Sequence, residues 1–208
     1  MTEKTSARTG RPPLTERRKA ETRLEVASAA VDLFLAKGVA GTSAEEIAEA
    51  AGISTRTLWR YFPTKESCVT PMLTGGIEHT AERLRSWRRD QGAAELVDLL
   101  CPPNPHASDN LRTVRSLIRM TRSEPGLRAV WLEAHRDAEP AFAQVLADRV
   151  GLAEPDLAVT VQAAMINTAM RVALEHNAWQ PDTDVAAYHA AIRDALLAAA
   201  RGFATDKE

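Results

Sequence analysis

The chain has 208 residues, 45% hydrophobic and 26% charged, the make-up of a globular protein with room for one ordinary domain and a smaller one. No apolar run approaches the roughly eighteen residues of a membrane span, and the polar opening MTEKTSARTGRPPLTERRKAETR lacks the apolar stretch of a secretory leader, so neither fate is expected. Net charge is −2 but uneven: residues 1–66 carry 11 Lys and Arg against 9 Asp and Glu, and the remainder 15 against 19, which puts the basic excess at one end.

Residues 1–15, with Gly10, Pro12 and Pro13, are polar and expected to be disordered when free. A helix is predicted from Glu16, with Leu24, Ala27, Val31 and Phe34 on one face and Gly38 as its left-handed stop. Thr42 and Ser43 offer an N-cap, and Ser43 with Glu46 reads as a capping box for a short helix over 44–51. Gly52 ends it, and Ser54 opens the next helix, 55–62, which stops at Pro63. Thr64 is expected to cap a long helix from Lys65 to about Arg89, kinked at Pro71, where a proline removes a hydrogen bond, and loosened by Gly75 and Gly76.

Beyond it, a short helix over 93–100 is broken by Pro102, Pro103 and Pro105. Helices follow over 108–123, 127–137, 140–150, 156–178 and 184–203, the second and third of these five divided at Glu139 and Pro140. No segment alternates with period two and no internal repeat is found, so the fold class is all-α. Cys68 and Cys101 form no CxxC or metal-type pattern, which suits a reducing cytoplasm.

Two short helices joined by so tight a turn are the core of a helix-turn-helix. Ile47 and Ala51 face inward, Ala48 is small where the second helix crosses, Gly52 permits the turn, and Ile53 and Leu58 fill the angle. The outward side chains of the second helix are Thr55, Arg56, Thr57, Trp59, Arg60 and Tyr61. Arginine suits guanine, threonine a thymine methyl or a phosphate, and the aromatic rings the sugar–phosphate backbone. Ser43, Thr64 and Lys65 stand at helix starts, where free N–H groups favour phosphate. Trp59 as core and the arginines as a solvated face form the competing reading, yet an idle surface so short rarely carries two aromatics and two arginines. Arg8, Arg11, Arg17 and Arg18 are either an arm for the adjacent minor groove or a solubilising tail.

Residues 24–66, LEVASAAVDLFLAKGVAGTSAEEIAEAAGISTRTLWRYFPTKE, resemble the N-terminal domain of the tetracycline-repressor (TetR) family. The marks are Ala29, Leu33 and Phe34 before Gly38; Thr42 and Ser43; Ile47 and Ala48; Ala51, Gly52, Ile53 and Ser54; and Leu58, Trp59, Arg60, Tyr61 and Phe62 before Lys65 and Glu66. By this resemblance Ser43, Thr55, Arg56, Thr57, Trp59, Arg60, Tyr61 and Lys65 occupy the positions that touch double-stranded DNA, with Trp59 where family members often have tyrosine. The domains expected are an arm over 1–15, a helix-turn-helix domain over 16–66, and a helical ligand-binding and dimerisation domain over 67–208.

The last two helices are Ala-rich, so two copies can approach closely in a four-helix bundle. A single short reading helix spans few bases, so a homodimer on two half-sites is expected. The candidate effector pocket is lined by Leu117, Met120, Trp131, Phe142, Met165 and Met170, with Arg119, His135 or Asn167 as polar anchors. The segment LRTVRSLIRMTRSEPGLRAVWLEAHRDAEPAFAQVLADRVG resembles TetR members with an acyl-CoA-like ligand-binding domain, which implies a small apolar or acyl-type effector and, by the family's usual mode, repression. The five histidines show no HxxxH spacing, so no metal or cofactor is expected. A helical enzyme is the main alternative, but GxSxG, P-loop and GxGxxG patterns are all missing. A non-sensing architectural DNA-binder would not need so large a body.

Overall fold

The computed structural model describes residues 14–101, 108–181 and 184–201, and every regular element among them is helical. In chain order these are α1 (Leu14–Lys37), α2 (Ala44–Ala50), α3 (Thr55–Tyr61), a 3-10 turn (Glu66–Val69), α4 (Thr70–Leu84), α5 (Ala93–Leu100), α6 (Ser108–Met120), α7 (Pro125–Val150), α8 (Leu157–Trp179) and α9 (Val185–Arg201). Arg8 and Arg11 of the expected arm lie outside the described residues. Arg17 and Arg18 stand exposed in the first turns of α1, with Arg17 paired to Glu21 at 3.2 Å.

Local chemistry fixes most boundaries. Gly38 takes the left-handed conformation (φ 76°) that ends α1, and Thr42 Oγ1 donates back to its carbonyl at 2.8 Å. Asp156 caps α8 by accepting from the Val159 N–H at 2.8 Å. Gly151 (φ 85°) closes α7.

Two prolines depart from expectation. The chain winds as a 3-10 turn over Glu66–Val69, so α4 begins at Thr70 and Pro71 falls in its first turn, where its missing N–H removes no helical bond. The kink expected at Pro71 is therefore not formed. Pro140 lies inside α7, which runs unbroken across the expected break. An interior proline costs about 3 kcal/mol; burial of Trp131, Ala134 and His135 on one side and Phe142, Ala143 and Leu146 on the other offsets it. α4 ends at Leu84, short of Arg89, because Trp87 folds the next turn back: its Nε1 donates to the Gly92 carbonyl at 3.1 Å, and the Arg149 guanidinium stacks 3.6 Å from its ring centre.

The buried side chains form two clusters. One joins Val26, Phe34, Ile47 and Leu58 of the first three helices, and Phe62 just after them, to Val69, Leu73, Leu117, Leu127 and Trp131 beyond, so the N-terminal core does not stop at residue 66. The other gathers Leu84, Val97, Phe142, Leu146, Ala163 and Ile192. Cys68 and Cys101 are free thiols buried in these cores, and burial pushes them up to about 12 and about 11, so they serve as small apolar residues.

Contrary to the reading of apolar runs, α8 is by length and composition long and apolar enough to cross a membrane, the one such helix among the described residues, with mean hydropathy 1.4. It packs against α6, α7 and α9 and carries Asn167, Arg171 and Glu175 along its length, the character of a bundle helix.

Candidate nucleic-acid interface and internal cavity

The N-terminal site is built on a turn with complete backbone pairing. α2 carries the capping box: Ser43 Oγ accepts from the Glu46 N–H at 3.2 Å, and the Glu46 carboxylate accepts from the Ser43 N–H at 2.8 Å. Lys37 closes an ion pair on the same carboxylate. The Lys37 hydrogen bond first, then those from Ser43, hold Glu46 down at about 2, against its ordinary 4.5. At the far end Gly52 is left-handed (φ 66°), its N–H donates to Glu49 at 3.0 Å, and the Ile53 N–H donates to Ala48 at 2.9 Å. These two bonds make a Schellman cap, which turns the chain sharply into α3.

α3 starts under Ser54, whose Oγ accepts from the Thr57 N–H at 3.2 Å and pairs with the Thr57 hydroxyl at 2.9 Å. Leu58 is fully buried and nails the helix to the core, while Arg56, Trp59 and Arg60 are exposed and Thr55, Thr57 and Tyr61 half-buried. The Trp59 indole, 46% exposed, is not a core residue; Phe62, 2% exposed, is. Arg60 lies over the Tyr61 ring at 5.2 Å, so the outer face carries a cation beside two aromatic surfaces.

Two of the candidate contacts are partly committed within the chain. Ser43 is half-buried, with its hydroxyl in the capping box. Lys65 Nζ donates to the Val39 and Thr42 carbonyls, both at 2.8 Å, and ties the α1–α2 loop to the start of the 3-10 turn. One N–H of the ammonium remains for a partner outside.

In the body, a cavity of about 360 Å³ opens between α4, α6, α7, α8 and α9, near the lower end of the range for small-molecule sites. Of the expected pocket residues, Trp131, His135, Phe142, Asn167 and Met170 line it. Leu117 and Met120 belong instead to the core under α1–α3, and Met165, 38% exposed, points outward. Arg119 is committed elsewhere: its guanidinium donates to the Ala178 and Gln180 carbonyls at 2.9 and 2.7 Å, where a cation suits the end of α8.

The sequence reading missed the wall supplied by α4, where Leu73, Gly75, Gly76, Ile77, Thr80 and Arg83 face the space, and the contribution of Tyr188 and Ile192 from α9. The adjacent glycines Gly75 and Gly76 were the available signal, since they strip one face of a helix to its backbone. Trp131 is held in place by its indole N–H, which donates to Glu175 at 2.8 Å; Arg171 pairs with that same carboxylate oxygen at 3.0 Å.

Five likenesses bear on this geometry. The family profile described as "Bacterial regulatory proteins, tetR family" matches residues 26–70, and that of the MftR C-terminal domain matches 103–204. The HTH-type transcriptional regulator TcmR of Streptomyces glaucescens is 26% identical, over 89% of this chain and 85% of its own. A Mycobacterium tuberculosis protein described as a mycofactocin biosynthesis regulator, MftR, is 28% identical over 81% and 85%. The fold matches that of Thermus thermophilus FadR, a TetR-family repressor solved with lauroyl-CoA, at a TM-score of 0.55 and 20% identity, covering 89% of this chain and 97% of that one.

Proposed function

This chain belongs to the TetR family of bacterial transcriptional regulators, and on that premise we propose that it acts in the cytoplasm as a homodimeric repressor. A palindromic operator holds it until a small, largely apolar molecule fills the cavity. The observation that carries this reading is shared packing. Leu73 and Trp131 line the cavity and also belong to the buried cluster that contains Phe34, Ile47 and Leu58 of the DNA-reading head. α4 connects through one 3-10 turn to α3, so a ligand that repositions α4 moves the reading helix with it.

The exposed face of α3 supports contact with the major groove through Arg56, Thr57, Arg60 and the Trp59 and Tyr61 rings. Ser43, Thr55 and Lys65 flank it toward phosphate. Arg17 and Arg18 belong to the first turns of α1 and add positive charge to the N-terminal domain. Pairing through α8 and α9 is supported by an outward apolar stripe on α8, where Leu157, Val161 and Val172 are each about half exposed or more. Two-fold pairing sets the reading helices about 34–36 Å apart, one turn of duplex. Affinity then falls only as far as the ligand binds one conformation better than the other.

The test begins with selection of bound sequences from random duplex DNA by the full chain. An enriched inverted repeat with half-sites about one turn apart is expected. Titrating apolar compounds into that complex should then release it. Enrichment of no sequence, or of a single unrepeated site, overturns the repressor reading.

A further inference from the structure

One polar side chain in the cavity wall has a donor–acceptor pattern set entirely by its neighbours. His135 on α7 is 4% exposed, and its Nδ1 lies 2.7 Å from Asn167 Oδ1 on α8. The orientation of that amide is over-determined. Asn167 Nδ2 donates to the His135 carbonyl at 2.9 Å and toward Glu139 Oε1 at 3.3 Å, and both of those oxygens only accept. The amide oxygen is therefore the atom that faces the ring, and it too only accepts. Nδ1 must carry the proton.

The other ring nitrogen, Nε2, is then a lone pair. It is buried and has no hydrogen-bond partner among the described residues. No carboxylate is free to draw a second proton there: Glu175 is engaged by Trp131 and Arg171, and Glu139 faces Asn167. Burial holds the imidazole below its ordinary range, which keeps it neutral. The Trp131 ring stands perpendicular to it, 4.2 Å between centres, and fixes its plane. The same cavity is walled by apolar side chains that include Ile77, Phe142, Met170 and Leu174, with Thr80, Arg83 and Tyr188 as further polar groups in its lining.

We propose that the effector is an apolar molecule bearing a hydrogen-bond donor, an alcohol or phenol hydroxyl, that it gives to His135 Nε2, and that the Asn167 amide selects this chemistry by fixing the ring's tautomer. This rests on the reading of the cavity as the effector site and narrows it. A hydroxyl satisfies the buried lone pair. An ether or carboxylate of the same shape sets an acceptor against an acceptor and leaves both unpaired.

The test uses the full-length protein without DNA and two matched sets of probes: 1-decanol, decyl methyl ether and decanoate; and 2-naphthol, 2-methoxynaphthalene and 2-naphthoate. Calorimetry should rank the hydroxyl compound first in each set, roughly tenfold above its ether. Nitrogen-15 NMR of the histidine-labelled protein should find His135 protonated at Nδ1, with an Nε2 resonance that moves with the hydroxyl probe and not with the ether. His135→Phe should remove the preference while binding of the ethers persists; if it does not fold, the tautomer measurement on the unaltered protein stands in its place.

Equal affinity within each set, tighter binding of the ether or the carboxylate, a proton on Nε2, or no binding by any probe overturns the proposal. Operator release is measured separately. Preferred hydroxyl binding that leaves the operator bound sinks the repressor reading and spares this one; release by ligands with no such preference does the reverse.

Discussion

At the scale of single residues, α3 separates reading from holding. Arg56 is exposed and makes no hydrogen bond or ion pair through its side chain among the described residues, so its guanidinium is free to pair with a guanine edge. Arg56→Ala should cost about 1–3 kcal/mol of operator affinity and relax base preference at one position of each half-site. Repeated sequence selection with the variant checks this, and an unchanged consensus would place the reading contact elsewhere. Lys65→Ala should weaken all sequences alike, and also loosen the loop whose Val39 and Thr42 carbonyls it holds. Lys65 was legible as a candidate phosphate contact, but not the two acceptors waiting 23 and 26 residues earlier in the chain. Arg119 was hidden in the same way, because residue type reports charge and not which carbonyls claim it. Glu46 offers a pH test. Its carboxyl is held below its ordinary value in the folded chain, so the cap's contribution is complete above about 4.5 and is lost as pH falls toward about 2. A carbon-13 titration of the Glu46 carboxyl should find its midpoint near the lower figure, and Lys37→Ala should raise it. A midpoint at the ordinary value would mean that the Lys37 and Ser43 contacts do not persist in solution.

At the scale of elements, what was legible followed local chemistry. The bounds of α5 emerged as expected, and the capping box, Gly52 and Pro63 set α2 and α3 to within a residue. What was not legible depended on contacts distant in sequence. Pro71 and Pro140 read locally as breaks; one became a helix start because a 3-10 turn intervened, and the other was absorbed by burial on both sides. The cavity was half visible for the same reason: apolar side chains on α7 and α8 announced themselves, whereas the α4 wall is partly bare backbone. Gly75 and Gly76 sit inside α4 with φ in the ordinary range, and a Cβ at either would meet nothing within 4 Å. Their cost is then entropic, and Gly75→Ala or Gly76→Ala should each stabilise the protein by about 0.5–1 kcal/mol. Thermal melts should rise accordingly, and amide exchange along α4 should slow. A fall in melting temperature would mean that α4 needs a conformation alanine resists. Two glycines in the helix that joins cavity to head keep that helix less stable than alanine would make it, which suits the proposed movement of α4 on ligand binding.

At the scale of the molecule, the proposed dimer follows from the length of α3: its seven residues suffice for one half-site of an operator and not for two. The surface proposed for pairing is on α8, whose outward stripe of Leu157, Val161, Met165 and Val172 is spaced to lie along one side of the helix. The same helix buries Val159, Ala163, Ile166 and Asn167 within its own subunit, so it is apolar on both sides, and this is why its composition alone resembles that of a membrane span. Val161 is 48% exposed and Met165 38%, so both can be changed with little loss of packing inside the subunit. The pair Val161→Glu and Met165→Glu sets four carboxylates against one another across a two-fold seam, where desolvating them costs more than the apolar contact returns. The double variant should keep its helical circular dichroism and sediment as a monomer. Its operator affinity should fall about a hundredfold or more, since each head would then bind without the effective concentration its partner supplies. Affinity for an isolated half-site should stay unchanged, and that comparison separates a lost partner from a damaged head. A variant that still sediments as a dimer would move the seam off this stripe. A variant that binds both targets worse would show that the stripe supports the fold of its own subunit.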